Sequence, residues 1–426
     1  MTAKTDLVAG TESSIVVEKC QVCGSRDLHT ILFLGYLPPV NQMHPIGEHP
    51  REQSAYPAEW FFCPCCKLVQ LGLLVDPSLL FPAEYPYTSG STRILRENFS
   101  ELYGDCQSII RLAQDDLVVD IGSNDGTLLS NFRSGGHRVL GIEPTQVGNL
   151  ANKRGIPTLI GFLRRELVEK VKREHGPATV VTATNVFAHI PNIHEVVDDL
   201  LCLLDERGVF ISESHYLLSL IETLQYDTIY HEHLRYYSLH SLRYLFEMHD
   251  LEIIHAKQIP THGGSIRVYA ARKGSHQVQP SVDTLLEKET LAGIDEKNLK
   301  EFRRRTVLSK LQLSALLNDI KRKDHRIYGV GAPSRASTLI NYVGLDDGII
   351  DCVVEIEGSL KIGRYMPGTL IPVIEESRLF EDQPEYALIL SWHIADEIIP
   401  KLTSNGFEGS YIVPLPTPRV VHSAAG

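Results

Sequence analysis

No stretch of this chain approaches the 18 or so uninterrupted apolar residues that a membrane-spanning helix needs. The opening residues, MTAKTDLVAGTESS, lack the apolar core of a secretory leader, so a cytoplasmic protein with no membrane partner is expected. Excess positive charge is missing too: 41 Lys and Arg stand against 53 Asp and Glu, a net charge of −12. A broad nucleic-acid footprint needs a basic face and is excluded on that ground. A small phosphorylated ligand is not excluded, because a few local cations suffice to hold it. Two familiar signatures are also absent. The GxGxxG of a dinucleotide fold does not occur, and HExxH fails at His231-Glu232-His233-Leu234-Arg235, where arginine takes the place of the second histidine.

What is present is ordinary in bulk and unusual in placement. The 43% hydrophobic and 22% charged fractions fit a folded globular chain and exclude disorder or a collagen-like repeat. A length of 426 residues allows about two to four domains at roughly 100–200 residues each. Of the eight cysteines, Cys20, Cys23, Cys63, Cys65 and Cys66 crowd into two N-terminal clusters. Cys20-x-x-Cys23 with Cys63-x-x-Cys66 is the spacing of a structural zinc site, each pair biting the metal from one knuckle. An iron–sulfur cluster or a redox pair is the weaker reading, and Cys65 is a competing ligand. The loop-rich segment between the clusters, with its prolines, promises little core of its own.

Apolar runs at Leu117–Ile121, Val139–Glu143, Ala178–Ala183 and Gly208–Glu213 read as buried strands separated by helices, the pattern of a parallel α/β sheet. Val282 to Lys323 reads as one long charged helix, followed by strands at Arg326–Val330, Ile349–Val354, Tyr386–Leu390 and Tyr411–Val413. The fold class expected is therefore α/β with three domains. Residues 1–85 are expected to form the zinc-binding domain, 86–275 a central α/β domain and 276–426 a second, smaller α/β domain.

Asp120-Ile121-Gly122-Ser123-Asn124-Asp125-Gly126 follows the first of these strands and opens a helix; Glu143 ends the next strand, where an acid can accept both hydroxyls of a ribose. This DxGxxxG pattern favours S-adenosylmethionine over NAD. The expected cofactor contacts are Asp120, Gly122, Asn124, Gly126, Glu143 and Asn185. Tyr230-His231-Glu232-His233 is dense in titratable groups suited to moving a proton near neutral pH. His189 follows the third strand at the carboxyl edge of the sheet, where open α/β folds bind ligands. His262-Gly263-Gly264-Ser265-Ile266-Arg267 sets a glycine turn beside a cation, suited to a phosphate or simply to a turn.

Together these residues resemble the three-domain nucleotide-sugar C-methyltransferases of antibiotic deoxysugar pathways. The resemblance runs from Cys20 to about Pro372 through the paired CxxC, VVDIGSNDGTLL, GIEPT, NVFAHIPN, YHEHLRYYS, HGGSIRVY, YGVGAPSRASTLINY and KIGRYMPGTLIPV. It implies that 86–275 is a Rossmann-like class I methyltransferase domain and 276–426 a second Rossmann-like domain. It implies S-adenosylmethionine-dependent methylation at C-3 of a dTDP- or GDP-linked 4-keto-6-deoxysugar, by a monomer carrying structural zinc. It implies that His233 removes the C-3 proton. Tyr230 and His189 would flank the reacting centre, with Glu232 as a supporting acid and a tyrosine of Tyr85-Pro86-Tyr87 nearby: Tyr87 in the catalytic group, Tyr85 against substrate. His262, Arg267, Arg335 and Lys361 would meet the nucleotide-sugar, Arg335 standing where the family commonly has lysine. The alternatives are methylation of a sugar oxygen or nitrogen, an NAD-dependent sugar oxidoreductase using Gly329-Val330-Gly331, and a non-enzymatic scaffold, for which a base such as His233 has no use.

Overall fold

The run Leu-Val-Val-Asp-Ile at Leu117–Ile121 is buried at all five positions, as a strand covered on both faces must be. It is an interior strand of a seven-stranded sheet in a computed structural model that describes residues 8–9, 13–49, 52–81 and 88–422. The sheet's strands are β1 (Leu117–Ile121), β2 (Arg138–Glu143), β3 (Thr158–Ile160), β4 (Ala178–Thr184), β5 (Leu204–His215), β6 (Leu251–Ile259) and β7 (Ser265–Arg272). Their order is β6-β7-β5-β4-β1-β2-β3, parallel from β5 to β3, with β7 antiparallel to both β5 and β6. The chain leaves β1 towards β2 on one side and returns to β4 on the other. That reversal opens a crevice at the carboxyl ends of β1 and β4, where ligands bind in such sheets.

The N-terminal segment builds more core than its prolines suggest. Tyr56–Phe62 alternates buried and half-buried residues and pairs with His29–Leu37 on one side and Val69–Leu71 on the other. Trp60 is fully buried, its ring 5.4 Å from Phe302 and 5.0 Å from Tyr236. A buried side chain of that size removes about 150–250 Å² from water, worth roughly 4–6 kcal/mol before entropy is counted. The sheet's fourth strand is Arg235–Tyr236, which comes from far along the chain and pairs with Val69 and Gln70.

The expected single helix from Val282 to Lys323 is two helices, Pro280–Ala292 and Glu296–Lys321. Gly293 takes φ +72°, which ends the first, and Asp295 caps the second by accepting the Asn298 N–H at 2.9 Å. The second helix lays Leu299, Phe302, Leu313 and Leu317 against the core. Beyond it, six strands in the order Val373–Glu375, Cys352–Glu355, Ile327–Val330, Tyr386–Ile389, Ser410–Val413, Arg419–Val421 form a separate sheet, parallel except at the last pair. No described helix is long and apolar enough to cross a membrane.

Candidate active site

The crevice opens into a cavity of about 1210 Å³ whose wall draws on the N-terminal, central and C-terminal segments of the chain. One end is built by the turn after β1. Gly122 has φ +69°, and a Cβ there would lie 2.4 Å from Val186, so only glycine lets the turn approach the β4 loop this closely. The Glu143 carboxylate closes the turn by accepting the Asn124 N–H at 2.9 Å, the Thr145 N–H at 2.9 Å and the Thr145 hydroxyl at 2.6 Å. Gly122, Asn124, Glu143 and Asn185 all line the cavity. Asp120 and Gly126 do not. Asp120 is buried, its pKa pushed up to about 7 by burial, and accepts the Thr182 hydroxyl at 2.6 Å. Gly126 starts the helix Thr127–Ser134 from a left-handed φ of 77°. Both support the turn from behind, which corrects their expected placement as direct contacts.

The other end holds the histidines. His233 donates its Nδ1 proton to the Thr228 carbonyl at 2.7 Å, since a carbonyl can only accept. Its Nε2 therefore keeps a lone pair. Burial lowers the His233 pKa to about 4, and His262 and Arg335 add to the shift, so the ring is a neutral base. Around it stand Tyr230, His215, His189 and Tyr236, with ring centroids at 4.1, 4.6, 5.1 and 6.2 Å. Phe81 stacks on His189 at 5.8 Å. Burial raises the Tyr230 pKa well above its usual value, with Glu232 adding to it, so the phenol keeps its proton and remains a donor. Glu232 accepts the Asn41 amide at 2.7 Å.

The C-terminal sheet's segment supplies Arg335, Lys361 and His393 to the wall, and the β6–β7 connection supplies His262. Arg335 is already engaged, with Asp227 taking two of its donors at 2.8 Å. Lys361 donates to the Ala332 carbonyl at 2.6 Å. Arg267 needs a correction. It lies on β7 with no exposure and does not reach the cavity; Glu213 at 2.6 Å, Asp105 at 2.7 Å and Asn98 at 2.8 Å consume its guanidinium. The expected Tyr85 and Tyr87 contacts lie outside the described residues. Sequence reasoning missed His215, His393 and Asn41. For His215 a signal existed: it ends the buried run of β5 at the same carboxyl edge as His189.

Away from the cavity, the sulfurs of Cys20, Cys23, Cys63 and Cys66 all lie within 4.8 Å of one another. Tetrahedral zinc with bonds of about 2.3 Å sets its sulfurs about 3.8 Å apart, so the cluster fits that ion. Gly24 and Lys67, each one residue past a pair, take φ +72° and +62° and turn the chain to form the two knuckles. Cys65 points outward, 3.8 Å from the Tyr244 hydroxyl, and is not in the cluster.

Residues 20–81 match the model of a zinc binding domain, 95–256 that of a methyltransferase domain, and 260–416 that of a C-methyltransferase C-terminal domain. The chain is 34% identical over 411 residues to the C-methyltransferase NovU of Streptomyces niveus, spanning 95% of this chain and 97% of that one. Among solved structures, it is similar to a magnesium protoporphyrin IX methyltransferase from Synechocystis with bound SAH, at 15% identity and TM-score 0.33, over 42% of this chain and 83% of that one. It is also similar to a methyltransferase from Anabaena variabilis, at 17% identity and TM-score 0.32, over 40% and 84%.

Proposed function

The chain belongs to the C-methyltransferases, and from that premise we propose that it methylates C-3 of a nucleotide-linked 4-keto-6-deoxysugar through an enolate. The observation that carries the reading is His233, a neutral imidazole with one nitrogen anchored and the other bare in the cavity. A C–H bond beside a ketone is acidic because the resulting negative charge settles on oxygen. A base must stand over that proton and a donor must face the oxygen. His233 Nε2 takes the proton. Tyr230, still protonated, and neutral His189 are the donors beside it. Glu232 orients this group while held by Asn41.

When bound, S-adenosylmethionine supplies an electrophilic methyl group. Glu143 and the Gly122–Asn124 turn would hold its nucleoside, and Asn185 closes that end of the cavity. Arg335 and Lys361 lie at the histidine end of the cavity beside neutral His262, where a diphosphate would meet two cations and an imidazole. Incubation of 4-keto-sugar nucleotides with methyl-labelled cofactor in D2O, read by NMR, tests the reading. Label bonded to carbon, with deuterium entering C-3 in the absence of cofactor, is expected. Label on oxygen or nitrogen would refute it.

A further inference from the structure

Arg235 is 1% exposed and, among the described residues, has no carboxylate at ion-pair distance. Buried charges are ordinarily paired, so its partners carry information. Nε donates to the Tyr237 hydroxyl at 2.9 Å. Nη1 donates to Gln21 Oε1 at 2.6 Å and to the Pro191 carbonyl at 3.1 Å. Nη2 donates to the Ile190 carbonyl. Gln21 sits between the zinc ligands Cys20 and Cys23, while Ile190 and Pro191 directly follow His189. A second tie runs the same way: His194 Nε2–H donates to the Val22 carbonyl at 2.8 Å. Both residues between Cys20 and Cys23 are thus bonded, directly or through Arg235, to the stretch 190–194.

Arg235 is also two residues past His233. Next to it, the Leu234 N–H donates to the Ala188 carbonyl at 3.1 Å, and the Leu234 carbonyl accepts from Leu71 at 3.0 Å. The His233 turn, the His189 loop and the first knuckle therefore meet at one guanidinium. We propose that Arg235 is a positioning residue that clamps the His189 loop to the zinc knuckle through Gln21, so that the metal-bearing segment sets the spacing of His189 and His233. The proposal rests on the role given to His189 above.

Three zinc-loaded variants test it: Gln21→Leu, which removes the acceptor; Gln21→Glu, which keeps one; and Arg235→Lys, which keeps the charge but cannot bridge. Hydrogen exchange over 186–194, zinc content, cofactor affinity and kcat are measured on each. Gln21→Leu and Arg235→Lys should speed exchange of that loop about tenfold while zinc content stays full. Their kcat should fall about 100-fold, the scale of an ångström-level misplacement, with cofactor Kd unchanged. Gln21→Glu should restore slow exchange and turnover. Unchanged exchange in Gln21→Leu, or no rescue by Gln21→Glu, overturns the clamp. So does loss of zinc or of cooperative melting in both Gln21→Leu and Arg235→Lys, because the contact would then serve folding. Exchange is read without substrate, so a wrong substrate leaves that result standing.

Discussion

Arg335 and Asp227 meet through two 2.8 Å bonds, Nε to Oδ2 and Nη2 to Oδ1, with side chains 7% and 1% exposed. Trp392 donates its Nε1–H to the same Oδ2 at 2.7 Å, and its ring lies 4.9 Å from the guanidinium carbon. Truncating one partner strands the other as a bare buried charge, which costs about 3–5 kcal/mol. Asp227→Ala should therefore lower stability by about that amount in urea melts. Arg335→Met keeps the volume but strands Asp227 in turn and should cost a similar amount, whereas replacing both partners together, Asp227→Leu with Arg335→Met, should cost less.

His233→Asn should abolish turnover, a loss of about 10²–10⁴-fold for a general base, while cofactor affinity by calorimetry stays as in the parent. Normal turnover would remove His233 as the base.

The pH dependence has a definite sign. With the His233 pKa at about 4, kcat/KM should hold level down to pH 5 and fall only below it, whereas an unperturbed imidazole would give a limb near 6.5. His231 and His262 are likewise lowered to about 4, chiefly by burial. Their folded values lie below the unfolded one, so between about pH 4 and 6.5 the unfolded chain binds more protons. Stability is then complete above about pH 6.5 and declines as pH falls, by roughly 2 kcal/mol per histidine at pH 5. Melting temperature against pH checks this, and a chain equally stable at pH 7 and 5 would contradict it.

Glu143→Ala should weaken S-adenosylmethionine binding by about 10–100-fold, the worth of losing hydrogen bonds to a charged group. Glu143→Gln, which keeps one acceptor for the Asn124 and Thr145 donors, should lose less. Calorimetric titration separates the two variants.

Metal analysis should return one zinc per chain. Cys63→Ser should lose it together with several degrees of melting temperature, while Cys65→Ser should keep both, since Cys65 faces away from the cluster.

Features with local signals were legible in the sequence. Each CxxC and the glycine turn after β1 is recognised from residues within a few positions of one another, and the structure brings the four sulfurs together and forms the Gly122–Asn124 turn. Features made by distant residues were not legible. Arg267 beside a glycine turn looks like a phosphate contact until Glu213, Asn98 and Asp105 arrive from elsewhere in the chain to consume it. Asn41 sits in a proline-rich loop and becomes meaningful only against Glu232, 191 positions away. Prolines also hid the alternation of Tyr56–Phe62, and one charged run hid the break at Gly293.

The strand Arg235–Tyr236 belongs by sequence to the methyltransferase segment and by hydrogen bonding to the N-terminal sheet. Recombination between relatives therefore has no neutral crossover between these segments. Exchanging residues 20–81 replaces the partner of a strand that begins two positions after His233, so each donor segment would bring its own alignment of that imidazole. Chimeras that move Tyr230–Tyr237 together with the zinc segment should keep that alignment; those that divide them should not.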